Sequence, residues 1–195
     1  LVFATVFVAW FAWQANRATQ RHNAVEIIEA AGGHVRLAGD SPDAVVASAP
    51  DPTASANSTS FTAKWRAQLE RLLPPAIRYV HFGPGATERE VRAIVDLPDV
   101  EIVFLQRATP GLDGMRALGE LPKLKKLNLV GSEISDGDLA QIYELSHLSE
   151  LVMASTPITD EALRYLARLK NLHLLNLNGT DVRGAGLKYV ADLQS

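Results

Sequence analysis

The residues best suited to general-base chemistry or metal binding are five histidines, at positions 22, 34, 81, 147 and 173. Their spacing supports neither role: no His-Glu-x-x-His run or other ligand pattern joins them. His147 and His173 fall on polar positions of a regular pattern, as ordinary surface residues do. The segment Gly83-Pro84-Gly85-Ala86-Thr87 follows an alternating stretch and precedes a helical one, which is where a phosphate-cradling loop would sit. It lacks the third glycine and the lysine that such a loop needs. Asp113, Asp136 and Asp160 stand where helices begin, so each meets the positive end of a helix dipole before it meets any substrate. No Gly-x-Ser-x-Gly elbow occurs. Cysteine is absent, which excludes disulfides, thiolate metal sites and cysteine nucleophiles. Nineteen basic against 22 acidic residues leave a net charge of -3, too little positive charge for binding driven by phosphate neutralisation. The expectation is a protein that is not an enzyme, with no metal, no cofactor, no nucleic acid and no small-molecule substrate.

The elements that would position any functional surface come from a repeat. The chain has 195 residues, 47% hydrophobic and 21% charged, which suits one domain with an appendage. Written from Leu121 with a period of 24, Leu124, Leu148 and Leu172 align, as do Leu127, Leu151 and Leu175, and Leu129, Met153 and Leu177. Ile134, Ile158 and Val182 follow, then Leu139, Leu163 and Leu187, then Ile142, Leu166 and Val190, then Leu145, Leu169 and Leu193. Backwards the register decays. One period earlier stand Val100, Val103, Leu105, Met115, Leu118 and Leu121, with Pro110 in the column of Ile134; two periods earlier stand Tyr79, Val91, Ile94 and Leu97, where His81 breaks the pattern. That makes three clear units and two degenerate ones.

Within each unit, the pair 127 and 129 alternates with polar neighbours and reads as a short strand. Leu139, Ile142 and Leu145 recur every three residues and read as a short helix. Ser135 and Thr159, each followed by Asp, are expected to cap these helices. Ser132, Thr156 and Thr180, also 24 apart, are expected to satisfy turn backbone with their hydroxyls. Neither strand nor helix buries its apolar side alone, so the units must stack.

The lines "LKKLNLVGSEISDGDLAQIYEL", "LSELVMASTPITDEALRYLARL" and "LHLLNLNGTDVRGAGLKYVADL" carry the pattern L-x-x-L-x-L-x-x-(N, C or T)-x-L. They resemble the leucine-rich repeat family, most of all its 24-residue bacterial type, over about residues 76 to 195. The resemblance implies a right-handed α/β solenoid, with a parallel sheet on the concave face and short helices on the convex face. It also implies a protein-interaction module.

Ahead of the repeats, residues 1 to 13 run without a charge, proline or glycine, and Trp10, Trp13, Arg17 and Arg21 follow in the order of a helix leaving a membrane. Thirteen residues make about 20 Å of helix, short of a bilayer core. The chain opens on Leu1, so the expectation is a single-pass transmembrane anchor whose start precedes it, and the repeat following Leu193 is likewise expected to continue further. A cleaved signal peptide and a buried soluble helix are the competing readings. Residues 1–31 are thus expected to form the membrane anchor helix and its extension, ended by Gly32-Gly33. Residues 32–60 give a short strand at His34-Val35-Arg36-Leu37 and then a Ser/Ala/Pro tether. Residues 61–75, with Phe61, Trp65, Leu69 and Leu72 on one helical face, are expected to cap the repeats of 76–195. The anchor, the Gly-Gly stop and the tryptophan-bearing helix together are similar to membrane-anchored repeat proteins of planctomycete-type bacteria.

The outward face of the sheet is the candidate partner-binding surface. The period of 24 assigns to it Val80, Phe82, Ile102, Phe104, Lys126, Asn128, Glu150, Val152, Leu174 and Asn176. Val80, Phe82, Ile102 and Phe104 would form an exposed apolar patch, which marks either an interaction site or a surface covered by the tether or by the strand at 34–37. The expected role is a membrane-anchored module binding a protein partner. The alternative is a fragment of a larger sensor whose catalytic domain lies elsewhere.

Overall fold

A computed structural model describes residues 2–37, 76–191 and 193. Helix α1 runs over Val2–Ala30 and strand β1 over His34–Leu37. The units follow: β2 (Ile77–Phe82), α2 (Glu88–Arg92), β3 (Ile102–Leu105), α3 (Gly111–Gly119), β4 (Lys126–Asn128), β5 (Glu150–Val152), α4 (Leu163–Leu166) and β6 (Leu174–Asn176). Single turns of 3₁₀ helix at Ala93–Asp96, Asp138–Gln141 and Leu187–Tyr189 complete the outer side. The strands form one sheet in chain order, β2 to β6 parallel and β1 antiparallel at its edge.

The interior is one continuous apolar column set. Leu124 and Leu148, Leu127 and Leu151, Leu129 and Met153, Ile134 and Ile158, Leu139 and Leu163, Ile142 and Leu166, and Leu145 and Leu169 are all buried. Each fully buried leucine contributes roughly 2 kcal/mol relative to exposure, and each gains it against the equivalent residue of the next unit. In the fifth unit Leu175, Leu177, Val182 and Val190 are only partly covered. Leu187 is half exposed, because no strand follows β6 among the described residues.

The first strand corrects the expected register. Val80 pairs with Val103 and Phe82 with Leu105, a separation of 23 rather than 24. The outer columns keep 24, since Val91, Ile94 and Leu97 are buried one period before Met115, Leu118 and Leu121. The discrepancy lies in the connection from strand to helix, one residue shorter than its counterpart: nine steps separate Phe82 from Val91, ten separate Leu105 from Met115. Side chains alternate with period two along a strand, so a slip of one exchanges the faces. Val80 and Phe82 therefore point inward and are fully buried, and Tyr79 and His81 take the outward face.

The N-terminal end is covered by α1 and β1. Ala24 and Ile28, one helical turn apart, enter the core, with Val25, Ile27 and Val35 packed beside them. The helix stops at the glycine pair, where Gly32 adopts φ of +74°. Gly33 must be glycine for a different reason: a Cβ there would stand 2.7 Å from the His81 carbonyl oxygen. That close approach seats the turn against β2. The capping helix expected over 61–75 and the tether lie outside the described residues.

The transmembrane reading of α1 is not supported by the described residues. No helix among the described residues is long and apolar enough to cross a membrane. In α1 the apolar run gives way after Trp13 to Gln14, Asn16, Arg17, Gln20, Arg21 and His22, and its last third turns to the repeats instead.

The corrected register predicts that Phe82→Ala costs about 3–5 kcal/mol, the range for emptying a packed aromatic site. Tyr79→Ala should cost about 1 kcal/mol, the scale of one aromatic pair. Urea unfolding of both variants checks it; the reverse ranking would restore the uninterrupted 24-residue register.

Candidate interaction face

The side chains on the outward sheet face are Tyr79 and His81, Ile102 and Phe104, Lys126 and Asn128, Glu150 and Val152, and Leu174 and Asn176, register partners in successive strands. Eight of the ten residues assigned from the sequence are thus on this face, and Val80 and Phe82 are not. The two residues that replace them were missed, although His81 interrupting an apolar column was the visible sign of the slip.

The face is uneven. At its N-terminal end the Tyr79 and Phe104 rings lie 5.3 Å apart, and His81 stacks on Phe104 at 6.2 Å. Strand β1 widens this patch: His34 stacks on His81 at 6.5 Å, and the Arg36 guanidinium lies 5.4 Å from the Tyr79 ring. The expected strand at 34–37 does form, but it extends the patch sideways and does not fold over it. Spacing along the chain gave no hint that His34 and His81 would meet as cross-strand partners. The Nδ1 atom of His81 is the one buried side-chain nitrogen or oxygen among the described residues without a hydrogen-bond partner. Such atoms are rare in native structures and call for an explanation.

Further along, the face becomes polar and self-satisfied. Lys126 and Glu150 form a cross-strand ion pair at 2.7 Å, half exposed and so of little energetic weight. The side-chain oxygens of Asn128 and Asn176 accept from the backbone N–H groups of Val130 and Asn178 at 3.1 and 3.0 Å, which holds the turns. At the far end Leu174 is 42% exposed.

Polar hydrogen bonds hold the turns and tie neighbouring units together. The Ser132 hydroxyl donates to the Leu105 carbonyl at 2.6 Å and accepts from Ala108 N–H at 3.2 Å. The Thr156 and Thr180 hydroxyls donate to the Met153 and Leu177 carbonyls of their own strands. So this column satisfies turn backbone, as its spacing suggests. Ser135 forms a reciprocal cap with Asp138. Asp136, expected at a helix start, instead reaches the next unit and accepts from Thr159 N–H at 2.8 Å, and Asp160 likewise accepts from Arg183 N–H at 3.1 Å. Arg107, Gly131, Ser155 and Gly179, each one period apart, all adopt positive φ, a column that the apolar pattern does not announce. The Gly83–Thr87 segment ends in a capping box, Thr87 with Glu90, whose hydrogen bond from the Thr87 side chain holds the Glu90 carboxyl below its ordinary pKa. His147 and His173 are exposed. Among the described residues no three His, Asp or Glu side chains gather as a metal-binding group.

Stacked parallel strands, a short helix behind each and leucines between them, define the kind of unit. Residues 144–167 match the family model for the leucine rich repeat. The units are leucine-rich repeats. Among solved structures, the repeats are similar to an internalin, InlF, of Listeria monocytogenes, at 16% identity and a TM-score of 0.37, over 53% of this chain and 36% of that one. They are similar to internalin C2 of the same organism at 21% identity and 0.37, over 53% and 52%. A leucine-rich-repeat protein of Leptospira interrogans is similar at 20% identity and 0.36, over 52% and 32%. The similar part spans between about a third and a half of those proteins' own length. No curated protein sequence matches the chain.

Proposed function

We propose that the chain is a non-catalytic interaction module that binds a protein partner through the N-terminal end of its sheet face. The observation that carries this reading is the cluster of Tyr79, His81, Ile102 and Phe104, none of which is buried, beside the buried and fully packed Val80, Phe82, Val103 and Leu105. Interior stacking needs the second set and not the first. Aromatic rings with few rotatable bonds are efficient anchors at interfaces. The expected partner offers an aliphatic or aromatic side chain to the cluster and meets Lys126 and Glu150 at its rim.

A photo-crosslinking residue in place of Phe104, in cells that make the protein, should give a discrete protein adduct. Adding Tyr79→Ser should reduce its yield at least tenfold while lowering the melting temperature by only a few degrees. No adduct, or one indifferent to Tyr79→Ser, would remove the sheet face from the account.

Attachment to a membrane through α1 is a second reading, supported by the uncharged run at its start and by Trp13. That ring is half exposed and has the Arg17 guanidinium 4.8 Å from its centroid, an aromatic and a cation paired as at a lipid head-group boundary. Either side of the membrane is compatible with it. The full chain is expected to float with phosphatidylcholine vesicles in a density gradient, and a chain starting at Gln14 to remain below. A full chain that stays at the bottom would end this reading.

A further inference from the structure

The outer side of the repeats carries a second surface, which stacking does not require. Leu139, Ile142, Leu163 and Leu166 fill the interior from this side. Between their turns lies an open groove of about 540 Å³, lined by Ala140, Tyr143, Arg164, Tyr165 and Arg168. The groove exists because Ala140 stands one period before Arg164: a small side chain in one unit leaves the room that a long one in the next borders. Tyr143 and Tyr165 are 36% and 37% exposed, so an incoming side chain can reach both rings.

The electrostatics of the groove are specific. The Arg168 guanidinium lies 5.0 Å from the centre of the Tyr143 ring, and Arg164 lies 5.8 Å from that of Tyr189. The carboxylates close by are already engaged. Glu161 accepts from Arg164 at 2.7 Å, and Glu144, in register one unit before Arg168, accepts from the Tyr143 hydroxyl at 2.7 Å. Arg168 forms no ion pair among the described residues. A guanidinium stacked on a ring keeps its edge of N–H donors free, and that planar fork matches a carboxylate in two parallel hydrogen bonds. The volume is that of a pocket for a short peptide or a drug-sized molecule.

We propose that this groove binds an acidic segment of a partner protein, with one carboxylate on the Arg168 fork and an adjacent apolar side chain against Tyr143 and Tyr165. The site is on the opposite side of the repeats from the sheet face, so the two surfaces can be occupied together and fail independently. Fluorescence anisotropy of the full chain with a labelled Glu-Phe-Glu-Phe-Glu peptide tests it. Saturable binding is expected, weakened at least tenfold by Arg168→Gln and by Tyr143→Leu, restored in part by Arg168→Lys, and indifferent to Phe104→Ser. Because both groove residues are exposed, the variants should melt with the parent protein. The proposal is overturned by absent binding, by equal binding of a Lys-Phe-Lys-Phe-Lys peptide, or by an Arg168→Gln variant that binds as the parent does.

Discussion

Each unit of this chain carries more leucine than it can hide, and the sharing of that surface between neighbours is the constraint on which the rest depends. A strand of three residues and a single helical turn enclose nothing by themselves. Placed beside its copy, each puts Leu127 against Leu151 and Leu139 against Leu163, and water is excluded from all four. The period of 24 is then kept from the second unit onward, and the braces follow from it. The Ser132 hydroxyl, the Asp136 and Asp160 carboxylates and the left-handed residues at 107, 131, 155 and 179 recur because each turn meets the next in the same geometry.

The same constraint explains the two ends. At the start, α1 supplies Ala24 and Ile28 where a preceding unit would have supplied leucines, and β1 supplies a strand edge, though antiparallel. The glycine at 33 is the contact that allows this graft, since its backbone sits directly on the His81 carbonyl. At the other end the described residues stop covering their own columns: Leu175 and Leu177 are only partly buried and Leu187 is half exposed.

Most of the interior could be read from the amino-acid order because an apolar column at fixed period is a direct record of stacking. Buried positions from Val91 to Leu172 follow that record. The outward face of β2 could not be read so simply. A strand-to-helix connection shortened by one residue leaves the helical columns in phase and reverses the strand, so counting back from Leu127 lands on Tyr79 rather than Val80. Alternation alone offered Ile77, Tyr79 and His81 or Val80 and Phe82, and burial decided for the second pair. The site was therefore legible from β3 to β6 and inverted at β2. The cross-strand meeting of His34 and His81, and the Arg168–Tyr143 stack, depend on which neighbours the fold brings together, and no local spacing encodes them.

The functional surfaces are what the interior leaves over. Once the leucines are stacked, the outward strand positions and the outer turns are free to vary. This chain places aromatic side chains on the first and arginine with tyrosine on the second. Excision tests the shared interior most directly. Deleting residues 124–147 joins Lys123 to Leu148 and removes one whole period, whereas deleting residues 124–135 removes half of one. With a shared interior, the whole-period deletion still unfolds in a single cooperative transition at lower denaturant concentration with a smaller slope, and the half-period deletion shows no cooperative transition. Equal tolerance of both deletions, or loss of the transition in both, would contradict the account.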